Sequence, residues 1–391
     1  MLGLLICGTT AWAGTYSALP LGYLDPVPDY YGPFTEGTSI SSNGKYVTGI
    51  GADDNSQANS HIAAFLWSAA TGITNLGPAA PAQGVGFSVN DSGLVAGYIC
   101  QTCSGDAHAA FFSNGSIIDL NGANPNSIAN GINNNGQITG AVNGFYGFRY
   151  DTATSSGVCL GSLNGVAPTT FTGATIPACP GFSVPFAINN SGQITGWSDS
   201  FSGPGHVFLF SGGVMTDIGA GDGSRAFAIS DNGNITGQLP DNAFAYINGV
   251  FTDIGNLPGF LDSRGTGINS RGQIVGLSWS PPDYNDTVAW LYQNGTFYDL
   301  NDLMLPGFDF FLYEAMAIND SGQIVANGCD ADFNCESFLL TDVPEPEPFP
   351  IYSFGLALIV LWRGLKARAT VRYSFLKATA GSTRTARRAG R

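Results

Sequence analysis

Positive charge is scarce in this chain. Of its 14 Lys and Arg residues, nine lie at or after Arg363, and five precede it: Lys45, Arg149, Arg225, Arg264 and Arg271. Because all 29 Asp and Glu residues also precede Arg363, residues 1–362 carry a net charge of −24. A surface of this sign repels nucleic acid and anionic lipid, and it favours cations or neutral glycans as partners. The alternative is that the acidity only keeps a glycine-rich β protein soluble.

Catalytic and metal-binding motifs are also lacking. The chain has only three histidines, with no metal-binding pair among them, and no Ser or Cys lies in a distinctive nucleophile elbow. We therefore predict a protein that is not an enzyme and that needs no cofactor.

One short phrase recurs seven times: a hydrophobic residue, Asn or Ser, a polar turn that ends in Gly, then an aliphatic residue and usually a second Gly. The turn glycines are 49, 43, 56, 41, 39 and 50 residues apart. An Asn/Asp/Ser run closed by Gly is typical of a hairpin, because Gly accepts φ > 0 and short polar side chains bond their own backbone. The seven copies are Ile40–Gly44, Val89–Gly93, Ile132–Gly136, Ile188–Gly192, Ile229–Gly233, Ile268–Gly272 and Ile318–Gly322.

Each repeat carries a second hairpin, as in His206–Ile218 and Ala243–Ile254. Two hairpins give four strands, and four strands in about 40 to 45 residues is the size of a β-propeller blade. Third strands are predicted in all seven repeats and fourth strands in six. The third strands centre on Phe65, Phe111, Phe148, Phe208, Phe244, Trp290 and Phe338, and the fourth strands on Ile73, Ile118, Val158, Met215, Phe251 and Phe297.

The seventh repeat therefore lacks one strand, and the N-terminus offers it. Leu19–Asp25 resembles Leu257–Asp262, which follows a fourth strand, so Thr15–Leu19 is predicted to complete the last blade. Pairing of the two chain ends removes open sheet edges. The sequence thus predicts an all-β propeller of seven four-stranded blades, closed by the N-terminal strand; the alternative is an open solenoid of the same hairpins.

These repeats resemble the HAF-type extracellular repeat family, which is described by a His-Ala-Phe start to the third strand and a Thr-Asp-Leu-Gly fourth strand. The matching stretches here are His108–Phe111, His206–Phe208, Asp217–Gly219 and Asp253–Gly255, and the similarity covers about residues 15–342. The resemblance implies a secreted bacterial protein and no particular reaction.

The N-terminus reads as a secretory signal, residues 1–13, with an apolar run followed by the small-x-small site Ala11-Trp-Ala13. The propeller ectodomain is then residues 14–342.

The C-terminal part, residues 343–369, is similar to the PEP-CTERM sorting signal. Its motif, Val343-Pro344-Glu345-Pro346, precedes an apolar helix over 349–362 and a basic segment from Arg363. The resemblance implies sorting by an exosortase-like membrane enzyme, transient anchoring in the inner membrane, and a final place at the cell surface or in the extracellular matrix. The apolar run falls short of the roughly 20 residues that cross a bilayer comfortably; a plain C-terminal anchor is the alternative. Residues 370–391 are predicted to be an unstructured basic tail.

Beyond Cys7, six cysteines form local pairs. An even number in a secreted chain predicts three disulfides. A redox or zinc motif at Cys100-Gln-Thr-Cys103 is the alternative for the first pair. The predicted pairs are Cys100 with Cys103, Cys159 with Cys179, and Cys329 with Cys335.

The histidines and the recurring aspartates have two interpretations. His61, His108 and His206 share one repeated position, which indicates blade framework rather than catalysis. The repetition of the aspartates favours a structural hydrogen-bonding role. The alternative is that they are the catalytic carboxylates of a sugar-cleaving propeller enzyme. They are Asp119, Asp217, Asp253 and Asp299.

Two oxygen-rich stretches of the sequence are candidates for calcium binding. Asp330, Asp332 and Asn334, and the loop Asp53-Asp-Asn55, are oxygen-rich, yet neither stretch matches an EF-hand and both are compatible with ordinary acidic turns.

The function predicted from the sequence is a non-catalytic surface or matrix protein that binds exopolysaccharide, another glycan or a surface protein through its loops in a biofilm matrix. The alternative is a polysaccharide hydrolase or lyase. The long insert Gly161–Pro180 is the predicted place for individual specificity; its other interpretation is a tolerated surface loop.

Overall fold

The computed structural model describes residues 14–24, 33–54, 61–79, 82–101, 106–113, 115–120, 126–173, 175–200 and 203–343. The predicted signal peptide, Pro344–Pro346 of the sorting motif, the apolar segment 349–362 and the tail 370–391 lie outside these residues. No described residue belongs to a helix that is long and apolar enough to span a membrane.

The described residues form β-strands and one short 3-10 helix, Leu300–Leu303. In chain order the strands are β1 (Thr15–Pro20), β2 (Thr35–Ile40), β3 (Tyr46–Asp54), β4 (His61–Ser68), β5 (Gly72–Gly77), β6 (Gln83–Val89), β7 (Val95–Cys100), β8 (His108–Ser113), β9 (Ser116–Asp119), β10 (Ile128–Ile132), β11 (Gln137–Val142), β12 (Tyr146–Asp151), β13 (Ser156–Cys159), β14 (Thr169–Thr172), β15 (Ser183–Ile188), β16 (Ile194–Ser200), β17 (Gly203–Ser211), β18 (Val214–Asp217), β19 (Arg225–Ile229), β20 (Ile235–Gln238), β21 (Ala243–Ile247), β22 (Val250–Gly255), β23 (Asp262–Ile268), β24 (Ile274–Ser280), β25 (Asp283–Gln293), β26 (Thr296–Asp299), β27 (Phe311–Ile318), β28 (Ile324–Cys329) and β29 (Cys335–Val343).

Antiparallel pairing groups these strands by repeat. Five sheets have four strands each, and a sixth has nine because one parallel bridge, Tyr146 to Ser183, joins two sets and β14 is added to β13. We call the sets that contain the seven turn motifs units 1 to 7. They are β2–β5, β6–β9, β10–β13, β15–β18, β19–β22, β23–β26 and β27–β29.

The turn motif folds as its chemistry predicts. All seven turn glycines have φ between 72° and 84°, a region that glycine enters without steric cost. In unit 3 the Asn133 Oδ1 atom accepts hydrogen bonds from the backbone N–H groups of Asn135 (3.1 Å) and Gln137 (2.9 Å). The Asn133 side chain therefore closes its own turn, as an Asx-type residue does.

The amide nitrogen of the same Asn links neighbouring units. Asn133 Nδ2 donates to the carbonyl of Asn189 at 2.9 Å, and Asn189 Nδ2 donates to that of Ser230 at 3.0 Å. In unit 5, where Ser230 takes the place of this Asn, Asn232 instead donates to the carbonyl of Ser270 at 2.9 Å. In units 2, 3, 4 and 6, therefore, a single Asn stabilises both the hairpin and the junction to the next unit.

The second glycine of the repeat is required by a close backbone approach. In every unit the first strand has a β-bulge opposite the second strand, where the pairing register shifts by one residue. A Cβ added at this glycine in units 1 to 6 would lie 1.8–2.1 Å from a carbonyl oxygen of the first strand, so no larger residue fits without moving the backbone. These glycines are Gly49, Gly97, Gly140, Gly196, Gly237 and Gly276.

The core lies between units. Phe65 of unit 1, for example, is fully buried in a cluster with Val325 and Leu339 of unit 7, and Trp290 of unit 6 is buried with Ala243 of unit 5. Complete burial of such a side chain stabilises the fold by roughly 1.5–3 kcal/mol. A unit therefore depends on its neighbours for its hydrophobic core.

The two ends of the described chain pair with each other. β1 is antiparallel to β29 over six positions, from Thr15 opposite Val343 to Pro20 opposite Phe338. The predicted pairing of Thr15–Leu19 with the last repeat is therefore present.

Two predicted disulfides are also present, Cys159–Cys179 and Cys329–Cys335. Cys100 is disulfide-bonded as well, and its predicted partner Cys103 lies outside the described residues. The insert Gly161–Pro180 is anchored at its far side by Ile176, which is fully buried and donates its N–H to the carbonyl of Leu120 at 2.9 Å.

Candidate ligand-binding channel

The first strands of all seven units line one cavity. Its lining runs from Thr38 and Ser39 in unit 1 through equivalent positions of each unit to Asn319 and Asp320 in unit 7. The empty volume is about 980 Å³, part of it continuous with solvent. We call this cavity the channel.

The β-bulges place one side chain per unit in the channel wall. One residue that is skipped in the pairing register of each first strand lines the channel, and each of these side chains is half-buried. β27 also skips Tyr313, which is not part of the lining. The seven residues, which we call the bulge layer, are Thr38, Phe87, Asn130, Phe186, Phe227, Thr266 and Met316. The scaffold around them is repeated, whereas the side chains themselves differ in size and polarity.

Polar members of the bulge layer are held by the next unit. Thr38 Oγ1 donates to the carbonyl of Gly86 at 2.8 Å, and Asn130 Nδ2 donates to that of Pro185 at 2.7 Å. Thr266 Oγ1 makes the equivalent bond to Ala315. These three side chains link first strands of adjacent units and supply hydrogen-bond donors to backbone carbonyl groups beside the bulges.

The apolar members leave a hydrophobic wall on the channel. Phe186 and Phe227, from adjacent units 4 and 5, have ring centroids 5.2 Å apart and are tilted by 55°. Half-buried aromatic rings in a concave site are typical contacts for apolar ligand groups.

A charged group of residues adjoins the bulge layer on the side away from the turns. Glu36, Arg264 and Glu314 each lie two positions before the bulged residue of their first strand. Burial raises the pKa of Glu36, the Glu314 carboxylate adds to the rise, and a hydrogen bond with Tyr313 opposes it. Burial lowers the pKa of Arg264, and the Glu314 carboxylate opposes that shift.

Turn carboxylates form the other rim of the channel. Asp231 Oδ1 accepts the backbone N–H of Asn190 at 2.9 Å, and Asp320 Oδ1 accepts that of Ser270 at 2.7 Å. Asp91 makes the same contact with Asn43 at 2.8 Å. These acidic residues tie successive turns together.

The three histidines lie outside the channel lining, in third strands: His61 and His108 begin β4 and β8, and His206 lies within β17. His108 Nδ1 is 2.8 Å from Asp119 Oδ2, and His206 Nδ1 is 2.6 Å from Asp217 Oδ2. His61 contacts Asp53 beside a second cavity at the outer side of unit 1. Each histidine thus bonds a carboxylate of its own unit.

An asparagine takes the histidine position in unit 5. Asn242 Nδ2 donates to Asp253 Oδ2 at 2.9 Å. Asp299 Oδ1 instead accepts the N–H of Asn301 at the start of the 3-10 helix. The four recurring aspartates are therefore separated in different units, and no two of them meet in the channel.

The calcium candidates form a turn between β28 and β29. Asp330 Oδ1 accepts the backbone N–H groups of Asp332 and Asn334, both at 2.9 Å, and Asp330 Oδ2 accepts the Asn334 amide at 2.9 Å. Among the residues that the structure describes, no group of three His, Cys, Asp or Glu side chains is arranged to hold a metal ion.

Three comparisons with known proteins bear on this geometry. No protein-family model matches the chain, and no curated protein matches it. The β-propeller domain of the Trilobed protease from Pyrococcus furiosus, described as having an open velcro topology, is similar with a TM-score of 0.50 and 10% identity over 83% of this chain and 98% of that one. This likeness shows a β-propeller fold.

Two peptidases show weaker likeness. Acylaminoacyl peptidase from Pyrococcus horikoshii has a TM-score of 0.47 and 10% identity over 83% of this chain and 54% of its own. A puromycin-hydrolyzing peptidase of Mycobacterium tuberculosis has a TM-score of 0.48 and 12% identity over 84% and 55%. The chain spans about half the length of these two enzymes.

The comparisons correct the function predicted from the sequence. The similar structure at a TM-score of 0.50 is the β-propeller domain of a protease, which contradicts the predicted glycan-binding protein of an exopolysaccharide matrix and gives no support to its alternative, a polysaccharide hydrolase or lyase. The physical reason for the error is that acidity and repeat type describe the scaffold, whereas ligand choice depends on the channel side chains.

Proposed function

We propose that the chain forms a seven-bladed propeller, closed by β1, that binds an extended peptide in its channel without cleaving it. The observation that carries the proposal is the bulge layer, in which a repeated scaffold presents seven half-buried side chains of four residue types to one cavity. Binding sites are generally built in this way, with variable groups on a rigid frame.

Contacts between units 1 and 7 support ring closure. The Asn327 side chain bonds the backbone of Gly37 twice, through Oδ1 at 2.9 Å and Nδ2 at 3.1 Å. The Ser337 hydroxyl donates to the carbonyl of Thr35 at 3.1 Å. Together with the β1–β29 pairing and the core shared by the two units, these bonds favour a ring over an open solenoid.

The chemistry of the channel supports a peptide as ligand. First strands present their outer edges to it, and strand edges offer backbone donors and acceptors. Phe186, Phe227 and Met316 in the lining suit apolar side chains, while Arg264, which contacts Phe227 from outside the lining, and the Glu314 carboxylate near it suit charged groups. The likeness to the peptidase propeller supports the fold, and the ligand class rests on these residues.

The hydrogen bonds that the polar groups already make support a non-catalytic role. In the described part of the chain, the candidate acids and bases that the sequence suggests bond to partners in their own blades, as His108 does with Asp119 and Asn242 with Asp253.

We also propose that the protein is exported and sorted at the inner membrane by an exosortase-like enzyme, as the HAF-type and PEP-CTERM-like motifs imply. The two disulfides within the described residues support export, since such bonds persist in oxidising compartments.

Affinity selection tests the proposed function. The full-chain protein is immobilised and incubated with a synthetic library of hexapeptides with acetylated N-termini and free C-termini, and retained peptides are identified by mass spectrometry. We expect retention of intact peptides with apolar residues, and at least tenfold weaker retention by Phe186→Ala and Phe227→Ala.

Phe145→Ala is the matched control, because Phe145 is a 47% exposed aromatic outside the channel lining. No retention by the native protein, equal loss in the control, or cleavage of the peptides would each contradict the proposal.

A further inference from the structure

Arg264 is an unusual residue in this acidic chain. It is one of five basic residues before Arg363, and it lies in β23, two positions before Thr266 of the bulge layer. It is half-buried, and desolvation lowers the pKa of its guanidinium. A buried arginine normally has a carboxylate or several carbonyl acceptors, because an uncompensated charge is costly away from water.

Within the described residues, Arg264 has no hydrogen-bond acceptor and no ion-pair partner. Its Nε atom is shielded from solvent without an acceptor. The nearby carboxylates are held by other groups: Glu314 Oε1 accepts the Asn327 amide at 3.0 Å, and Glu36 bonds Tyr313. Glu314 therefore influences Arg264 through space without neutralising it directly.

The guanidinium is instead positioned by an aromatic ring. Its Cζ atom is 5.3 Å from the ring centroid of Phe227, within the range of a cation–π contact. The ring supplies no hydrogen-bond acceptor, so the terminal Nη groups of Arg264, unlike its shielded Nε, are available to a ligand. Phe227 also packs against Phe186 on the channel wall.

We propose that Arg264 is a binding residue for the C-terminal carboxylate of the peptide, with the last side chain packed against Phe186 and Phe227. The proposal rests on the function given above and names the end of the ligand that the channel recognises. A carboxylate matches the guanidinium fork in a bidentate pair. The Glu314 carboxylate, which acts on Arg264 through space, disfavours ligands that carry additional negative charge there.

The test compares two hexapeptide libraries without Asp or Glu, identical except that one has free C-termini and the other C-terminal amides. Affinity selection on the native full-chain protein is expected to retain the free acids at least tenfold better. A third library, with amidated C-termini and one Glu at varied positions, distinguishes a terminal from a side-chain carboxylate. Retention of this third library equal to that of the free acids would overturn the assignment to the terminus.

Variants separate this inference from the proposed function. Arg264→Gln is expected to bind acids and amides equally, Arg264→Lys to recover part of the preference, and Arg271→Gln, which removes an exposed charge from the same unit, to keep it in full. Unfolding midpoints of the three variants check that each is folded. Equal binding of acids and amides by the native protein would overturn the role of Arg264 and leave peptide binding intact, whereas no binding of any library would overturn both.

Discussion

The second glycine of the repeat gives the sharpest stability prediction, and β3 contains a matched pair to test it. A Cβ on Gly49 would lie 2.0 Å from the carbonyl oxygen of Glu36 and 2.8 Å from Cα of Gly37, both backbone atoms of the paired strand. On Gly51, in the same strand, the nearest atoms are methyl groups of Thr35 at 3.1 Å and Leu24 at 3.2 Å. Neither glycine has positive φ, so the comparison isolates the close approach.

The magnitude follows from the displacement required. Relief of the Gly49 contact needs a separation of about 1 Å or more between β2 and β3, which breaks ladder hydrogen bonds worth about 0.5–1.5 kcal/mol each. Overpacking adds roughly 1–3 kcal/mol, and the lower entropy of the unfolded Ala chain offsets about 0.4–1 kcal/mol. We expect Gly49→Ala to lower the free energy of unfolding by about 3 kcal/mol and Gly51→Ala to change it by less than about 1 kcal/mol.

Urea unfolding followed by tryptophan fluorescence measures both variants against the native protein. The two variants must show the same slope with urea for the comparison to report stability alone. If Gly49→Ala is as stable as Gly51→Ala within about 0.5 kcal/mol, the explanation of the repeated glycine by the bulge is refuted.

Three further predictions concern other parts of the fold. Replacement of both Cys159 and Cys179 by Ser should lower the free energy of unfolding by about 3 kcal/mol, since the disulfide closes a loop of 20 residues. Calorimetry with and without reductant measures this loss, and an unchanged unfolding midpoint would contradict the prediction. Hydrogen bonding to Asp217 raises the pKa of His206, so the stability that protonated His206 contributes is present below the unfolded pKa and is lost as pH rises through the folded pKa. His206→Asn, which reproduces the Asn242 arrangement of unit 5, should remove this pH dependence of stability. An NMR titration that places the pKa of His206 at or below the ordinary value of histidine would contradict the prediction. Asn189→Ala should cost about 1–3 kcal/mol, because the Ser230 carbonyl and two turn N–H groups lose their partner; a change below about 0.5 kcal/mol in urea titrations would contradict the role of the turn amides.

Much of the strand order could be predicted because turn chemistry is local. The Asn and Gly residues of the motifs fix where hairpins close, and the strand after each turn follows from alternation. The position of β1 beside β29 could also be predicted, since a missing fourth strand and a spare N-terminal strand must find each other. In unit 2 the position of the buried aromatic marker belongs to Ala110, which pairs with Gly97 as Phe65 pairs with Gly49, and Phe111, which the motif indicates, is half-buried beside it.

The channel could not be predicted, because it depends on register. A bulge is one skipped pairing, and no residue type marks it: Thr38, Phe186 and Met316 share the position but no chemistry. The only sequence signal is indirect, namely the second glycine that faces the bulge from the neighbouring strand. Residues singled out by their chemistry, such as the histidines, proved to contact partners within single blades.

A designed cross-link between the chain ends tests the closed ring, on which the channel depends. Ser17 and Thr341 are opposite each other in the β1–β29 register, and directly opposite residues are near enough for a disulfide, whereas positions two residues out of register are not. The account predicts that Ser17→Cys with Thr341→Cys forms an intramolecular disulfide under mild oxidation, while Ser17→Cys with Val343→Cys does not. Failure of the first pair to cross-link, or formation of intermolecular dimers instead, would contradict the ring and favour an open solenoid.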